Sequence, residues 1–238
     1  KSAIIAFVEG VTAEGSATFV PEADRIAVFD NDGTLWSEQP VYFQALYAID
    51  KVREKGAADP SILTSDVLRA AAKGDMKGVM AGGEKGLVEI LGVSHSGISA
   101  DDFKAEAHEW LTTARHPTSG LTYAGMTYRP MIELLDYLRA EGFSTWIVSG
   151  GGIAFIRAWA DEAYDIPPPN VVGSNIDTTF SFEDGKGTIM RNPKVDFITD
   201  GPGKPEGIYL HIGQRPILAF GNSGGDKEML EYTKSGDG

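Results

Sequence analysis

The stretch Ile26-Ala27-Val28-Phe29-Asp30-Asn31-Asp32-Gly33-Thr34 changes character in one step, from four apolar residues to five polar or turn-forming ones. A short unbroken apolar run is the pattern of a strand buried on both faces, because a polar side chain on either face would lose its water. Asp-Asn-Asp-Gly is also ordinary turn composition, so alone it fits a surface turn as well as a site. The chemistry it offers is more specific. Two carboxylates one residue apart at the end of a buried strand can share a divalent cation while unlike surroundings separate their pKa values. Asp30, kept ionised, can attack phosphorus as a nucleophile; Asp32 can protonate the leaving oxygen and later deprotonate water. Gly33 permits a tight turn, and the Thr34 hydroxyl can brace it.

Outward from this stretch, residues 3–9 (AIIAFVE) read as a short helix, and from Pro40 to His116 the apolar spacing is helical. Helices are expected over 41–55, 62–73, 76–91 and 99–114, the last opening on a Ser99-x-x-Asp102 capping box. An insertion of this length is far more than a βα crossover needs, so it reads as a helical domain set into an α/β chain. The α/β rhythm resumes with a helix over 130–140, a strand over 143–148 running into Ser149-Gly150-Gly151-Gly152, and a helix over 153–163. Two extended stretches, 171–182 and 186–191, flank a Glu183-Asp184-Gly185 turn and predict a hairpin. A helix then starts at Pro205, and a final strand over 217–220 ends in Gly221-Asn222-Ser223-Gly224-Gly225-Asp226. Three strands therefore end in polar, glycine-containing loops, and the carboxyl ends of parallel strands line one crevice.

The chain has 238 residues, 42% hydrophobic and 23% charged, enough for a core domain and an accessory one. A formal charge of -13 argues against a nucleic-acid or anionic-membrane surface, which needs a basic footprint. No apolar run approaches the roughly 18 residues of a membrane span. The absence of cysteine excludes disulfides, thiolate metal sites and a cysteine nucleophile. Lys1 in place of a methionine leaves room for a removed leader, so both a cytoplasmic and an exported location stay open, and the natural chain can extend beyond Lys1 and Gly238. Oligomeric state is not legible. His95, His108, His116 and His211 lack metal-ligand spacing, and no strand leads into a Walker loop or a Gly-x-Gly-x-x-Gly fingerprint.

The string VFDNDGTLW, Val28 to Trp36, resembles the first signature of the haloacid dehalogenase-like hydrolase superfamily. The likeness continues in order along nearly the whole chain. WIVSGG, Trp146 to Gly151, resembles the second signature, which implies that Ser149 and Gly150 bind the transferring phosphoryl group; a glycine-rich turn before a helix also offers N–H groups to an anion. GKPEGI resembles the third, with Lys204 as the neutralising lysine and Lys194 as a rival. AFGNSGGDKEML resembles the fourth, an acidic metal-binding loop, with Asp226 at its second acidic position and Asn222 where an aspartate is frequent. A neutral carbonyl there should weaken the metal site rather than abolish it.

The resemblance implies an α/β fold, a Rossmann-like parallel-sheet core (1–38 and 117–238) with an inserted α-helical cap domain (39–116). It also implies Mg2+ held by Asp30, Asp32, Asn222 and Asp226, and an aspartyl-phosphate intermediate formed from a small phosphomonoester substrate. The phosphoserine-phosphatase-like branch is the most similar, although the glutamate that branch places nine positions after the nucleophile is Gln39 here. Trp36, Tyr42 and Phe43 are candidates for the substrate pocket or, at helical spacing, for core packing. Asp32 argues against a dehalogenase, which has no phosphate leaving group to protonate. A phosphomutase or a non-catalytic phosphate-ligand binder on the same fold remain the alternatives.

Overall fold

The computed structural model describes residues 1–236, and the chain forms two compact units. The first comprises Lys1–Ser37, Ala124–Ser174 and the segment from Ile198 onward. Its sheet contains β1 (Ile26–Phe29), β2 (Ser144–Gly152), the first part of β3 (Val171–Glu183) and β5 (Leu218–Phe220). All four pair in parallel, in the order β3-β2-β1-β5. β1 is buried along its whole length, as its apolar run requires, and Val28 stands in register with Trp146 on one side and Ala219 on the other. One face of the sheet packs Ile26, Val28, Val148 and Val172 against Ile208 and Met229. These two residues come from helices α10 (Gly203–His211) and α11 (Lys227–Lys234), so the apolar stripe of each helix anchors the loop that precedes it.

β2 runs further than the sequence pattern predicts, through Ser149 to Gly152, with a register shift against β3 between Ser149 and Gly152. Gly173 makes that close pairing feasible. A Cβ there would lie 2.8 Å from the Gly151 carbonyl and 2.9 Å from the Ile153 backbone. The helix expected over 153–163 is two short helices, α8 (Ile153–Arg157) and α9 (Ala160–Tyr164), broken where Trp159 leaves helical geometry.

The second unit comprises Glu38–Tyr123 and Asn175–Phe197. Its helices are α2 (Phe43–Ala58), α3 (Asp66–Lys73), α4 (Met76–Ala81), α5 (Gly83–His95) and α6 (Ala100–Thr113). Ser65 and Ser99 cap α3 and α6 by accepting from Leu68 and Asp102 N–H groups. The single helix expected over 76–91 breaks at Gly82-Gly83, where Gly83 has φ of +56°. Ala48, Ile49, Val52, Val67, Leu68, Ala71 and Ile90 form the core of the unit.

The sequence pattern places the hairpin with the Rossmann-like core, whereas residues 175–197 belong to the helical unit. Here β3 pairs antiparallel with β4 (Lys186–Phe197) across a turn at Asp184 and Gly185, both with positive φ. The cause is Arg191, buried on β4: its Nε donates to the His95 carbonyl at 2.8 Å, and its guanidinium lies 4.0 Å from the Phe103 ring centre. Periodicity cannot reveal such a long-range anchor. His95 itself is fully buried between Ser94 and Gln44, and burial drives its pKa down to about 3, so it is neutral core rather than a ligand.

Candidate active site

The site lies within the first unit, at the carboxyl ends of β1, β2 and β5. Asp30 follows directly on β1, with its N–H bonded to the Phe220 carbonyl of β5 at 2.9 Å. The chain then folds back on itself. The Asn31 carbonyl accepts from the N–H groups of Thr34 and Leu35 at 3.1 and 2.8 Å, and Gly33, at φ +80°, donates to the Trp36 carbonyl. This turn carries Asp32 beside the Trp36 indole, whose Nε1 donates to Asp32 Oδ1 at 3.0 Å. Trp36 packs on Trp159 with ring centres 4.4 Å apart, and the Tyr164 hydroxyl donates to Asn31 Oδ1 at 3.1 Å. Nothing in the sequence marks Tyr164; its role comes from the break that starts α9. Burial, with Asp32 and Asp30 close by, pushes the Tyr164 phenol well above its ordinary range, so it stays a neutral donor.

Lys204 is the central cation. Its side chain is 1% exposed, and Nζ donates to Asp30 Oδ1 at 2.6 Å, Asp226 Oδ1 at 2.5 Å and the Val148 carbonyl at 2.9 Å. All three ammonium protons therefore have acceptors, as a buried charge requires. The rival, Lys194, is exposed on β4 of the other unit. Ser149 is buried at the end of β2, and its Oγ accepts from the Gly151 N–H at 3.0 Å. A Cβ at Gly151 would lie 3.3 Å from both Ser149 Oγ and Asp32 Oδ2, so Asp32 and Ser149 flank one glycine. Asp30, Asp32, Ser149, Lys204, Asn222 and Asp226, spread over 197 positions of sequence (30 to 226), are thus gathered into one unit.

Both oxygens of Asp226 are engaged by the chain's own groups. Oδ1 accepts from Lys204, and Oδ2 accepts from Asn222 N, Ser223 N and Ser223 Oγ at 2.9, 2.8 and 3.2 Å. Its carboxylate closes its own loop and steadies Lys204. Burial pushes its pKa up, but the Lys204 hydrogen bond and charge and the two loop N–H groups outweigh that and hold it below the ordinary range. The same lysine cannot do as much for Asp30. Burial raises Asp30 from 3.8 to about 6, Lys204 opposes this only in part, and the charges of Asp226 and Asp32 add to it.

Among the described residues no three His, Cys, Asp or Glu side chains converge on one point. Neutral oxygens also face this point. Asn222 provides the geometry. With its amide nitrogen as donor, it reaches Asp30 Oδ2, the Asp32 carbonyl and Thr34 Oγ1 at 3.3, 3.0 and 3.1 Å. Rotating the amide by half a turn leaves four oxygens facing one another, an arrangement that a hard cation satisfies and that suits Mg2+. The oxygens offered to a cation at this point are those of Asp30, Asn222 and the backbone carbonyl of Asp32. Asn222→Asp is expected to enlarge the Mg2+-induced rise in melting temperature, measured by thermal shift across a metal titration. An unchanged titration would remove Asn222 from the metal shell.

Of the three aromatic residues expected near the pocket, Trp36 is buried in the site as described. Phe43 is core of the helical unit, packed edge-on against Tyr123 at 4.7 Å, and Tyr42 is exposed. No helix among the described residues is long and apolar enough to cross a membrane.

No curated protein matches the chain. Among solved structures, a conserved functionally unknown protein from Anaerococcus prevotii DSM 20548 is 17% identical with a TM-score of 0.58, over 99% of this chain and 83% of that one. A protein of unknown function from Bordetella pertussis Tohama I is 18% identical with a TM-score of 0.52, over 87% and 86% of the two chains. A phosphoserine phosphohydrolase-like protein from Francisella tularensis aligns at 16% identity and a TM-score of 0.42, over 87% and 82%. The model of the family described as haloacid dehalogenase-like hydrolase matches residues 27–231, and the chain belongs to that family.

Proposed function

We propose that the chain is a Mg2+-dependent phosphomonoester hydrolase that works through an aspartyl-phosphate, with Asp30 as nucleophile and Asp32 as general acid and base. The observation that carries this reading is the inequality between two neighbouring buried carboxylates. Asp226 is held ionised by Lys204 and loop N–H groups, whereas Asp30 keeps one oxygen, Oδ2, away from Lys204 and facing the Asn222 amide. Bound at Asp30, Asn222 and the Asp32 carbonyl, Mg2+ supplies the positive charge that the single lysine lacks, keeping Asp30 ionised and offsetting the phosphoryl oxygens.

The chain's own groups then divide the work. Asp30 attacks phosphorus and forms the acyl phosphate as the bond to the leaving oxygen breaks. Asp32, oriented by the Trp36 indole, passes its proton to that oxygen, then takes one from the water that attacks the acyl phosphate and restores Asp30. Ser149 Oγ already accepts from Gly151 N–H, so its own proton is available to a phosphoryl oxygen, alongside the Gly150 N–H. Lys204 balances charge through both steps. The helical unit is assigned the role of a cap that selects the leaving group.

Hydrolysis of p-nitrophenyl phosphate and alkyl phosphates, with Mg2+ and with chelator, tests this reading. Metal-dependent release of phosphate is expected, and no turnover of any ester would move the weight to a mutase or a binding protein. Asp32→Asn is expected to slow alkyl phosphates by about 10²- to 10⁴-fold and the activated aryl ester far less, since a good leaving group needs no proton. Equal losses on both esters would remove Asp32 from the acid role.

A further inference from the structure

The loop that leads into α10 carries an acid that takes no part in the chemistry above. Asp200 is exposed, and its carboxylate has no hydrogen-bond or ion-pair partner among the described residues. It is nevertheless held in place. On one side the Thr199 N–H donates to Ser174 Oγ at 3.0 Å, and that hydroxyl donates to the Gly150 carbonyl at 2.8 Å. On the other, the Gly201 N–H donates to the Gly225 carbonyl at 3.0 Å. Asp200 is thereby tied between the phosphoryl-binding turn and the acidic loop.

Both loops present glycine where the carboxylate sits. A Cβ at Gly150 would lie 3.3 Å from Asp200 Oδ1, and one at Gly225 would overlap that oxygen. The two glycines make a seat for an acid that bonds to neither of them. Lys204 does not neutralise Asp200, since its three protons are already engaged by Asp30, Asp226 and the Val148 carbonyl. Glu228 adds a further acid beside the same loop, 3.7 Å from the Cβ position of Gly201.

We propose that Asp200 sets the charge preference of the site, favouring phosphomonoesters whose leaving group carries an ammonium and disfavouring those with a second anion. This rests on the phosphomonoesterase reading and deepens it. An unpaired carboxylate beside the phosphoryl turn repels any added negative charge and attracts a positive one, and discrimination by repulsion needs no shaped contact. At a separation of about 8 Å and an effective dielectric constant of about 20–40, one unit charge changes binding about tenfold.

The test compares 2-aminoethyl, propyl and 2-carboxyethyl phosphate, which share a two-carbon spacer and carry a positive, a neutral and a negative group at the far end, at fixed low salt. The wild type is expected to prefer them in that order in kcat/KM. Asp200→Asn and Asp200→Ser are expected to compress the ratio of the first to the last, which differ by two unit charges, by about a hundredfold, while Glu9→Gln, which removes an exposed charge on α1 (Ser2–Thr12), leaves it unchanged. A wild type that hydrolyses all three without that order, a ratio unmoved by both Asp200 variants, or equal compression by Glu9→Gln would overturn the role of Asp200 and leave the hydrolase reading standing. Should no ester turn over, the hydrolase reading fails. The role of Asp200 is then read from the calorimetric dissociation constants of the same esters with Asp30→Asn and with Asp30→Asn/Asp200→Asn, where the same compression supports it and an unchanged ranking refutes it.

Discussion

Asp30→Asn is expected to abolish turnover and, in chelator at pH 8, to make the protein more stable than the wild type. The kinetic half follows from chemistry: a carboxamide cannot form the acyl phosphate, and removing a nucleophile costs about 10⁴-fold or more. The stability half follows from burial. A carboxyl whose folded-state pKa is raised, here from 3.8 to about 6, stabilises the fold fully below 3.8, and that contribution is lost as pH rises through about 6. At pH 8 the wild type holds an ionised, poorly compensated carboxylate that asparagine replaces with a neutral group. The expected gain is on the order of 1–3 kcal/mol at pH 8, shrinking to nothing near pH 4. Urea unfolding at the two pH values measures it. Full multiple turnover by the variant would end the nucleophile assignment, and a variant less stable than the wild type at pH 8 would show that Asp30 is well compensated without a cation.

Lys204→Met is expected to be the most destabilising single change in the site. Methionine fills the stem's volume but leaves the Asp30 and Asp226 carboxylates and the Val148 carbonyl without their shared donor. Breaking a buried ion pair by removing one partner costs about 3–5 kcal/mol, and here two acids lose the same cation. The loss should be largest at pH 8 and shrink as pH falls, because the two abandoned carboxyls can then be protonated. Melting temperatures at pH 5 and pH 8 read this out, with a fall of about 10 °C expected at the higher pH. A drop of similar size at both pH values would mean that packing of the lysine stem, not its charge, is what matters. Activity should vanish at either pH, since Asp30 and the phosphoryl group both lose the lysine that shares with Mg2+ the task of balancing their charge.

Much of this was legible from residue order. The apolar run Ile26–Phe29, the glycine-rich ends of β2 and β5 and the Ser99 cap are local patterns, and the elements lie where those patterns place them. Breaks inside helices were less legible: Gly82-Gly83 and Trp159 divide segments whose apolar spacing is continuous. The hairpin was assigned to the wrong neighbours because its anchor, Arg191 on His95 and Phe103, joins residues about 90 positions apart in sequence.

The sites divide in the same way. That Asp30, Asp32, Ser149 and Lys204 come together was legible because each sits at a fixed offset from a strand or helix end, and strand ends of a parallel sheet meet. The partners of Asp226 and Asn222 were not, because the offset says which loop a side chain occupies but not which way it turns. Folding turns Asp226 onto Lys204 and its own loop, and leaves Asn222 with the Asp32 carbonyl and Asp30 Oδ2. Asp200 is the extreme case: its surroundings are two glycines, Gly150 and Gly225, that approach it only in the folded chain. Local sequence specifies periodicity, turns and the chemical groups at strand ends, since these depend on neighbours along the chain. Partnership and charge balance depend on distance in space, which exists only once the sheet has brought those ends together.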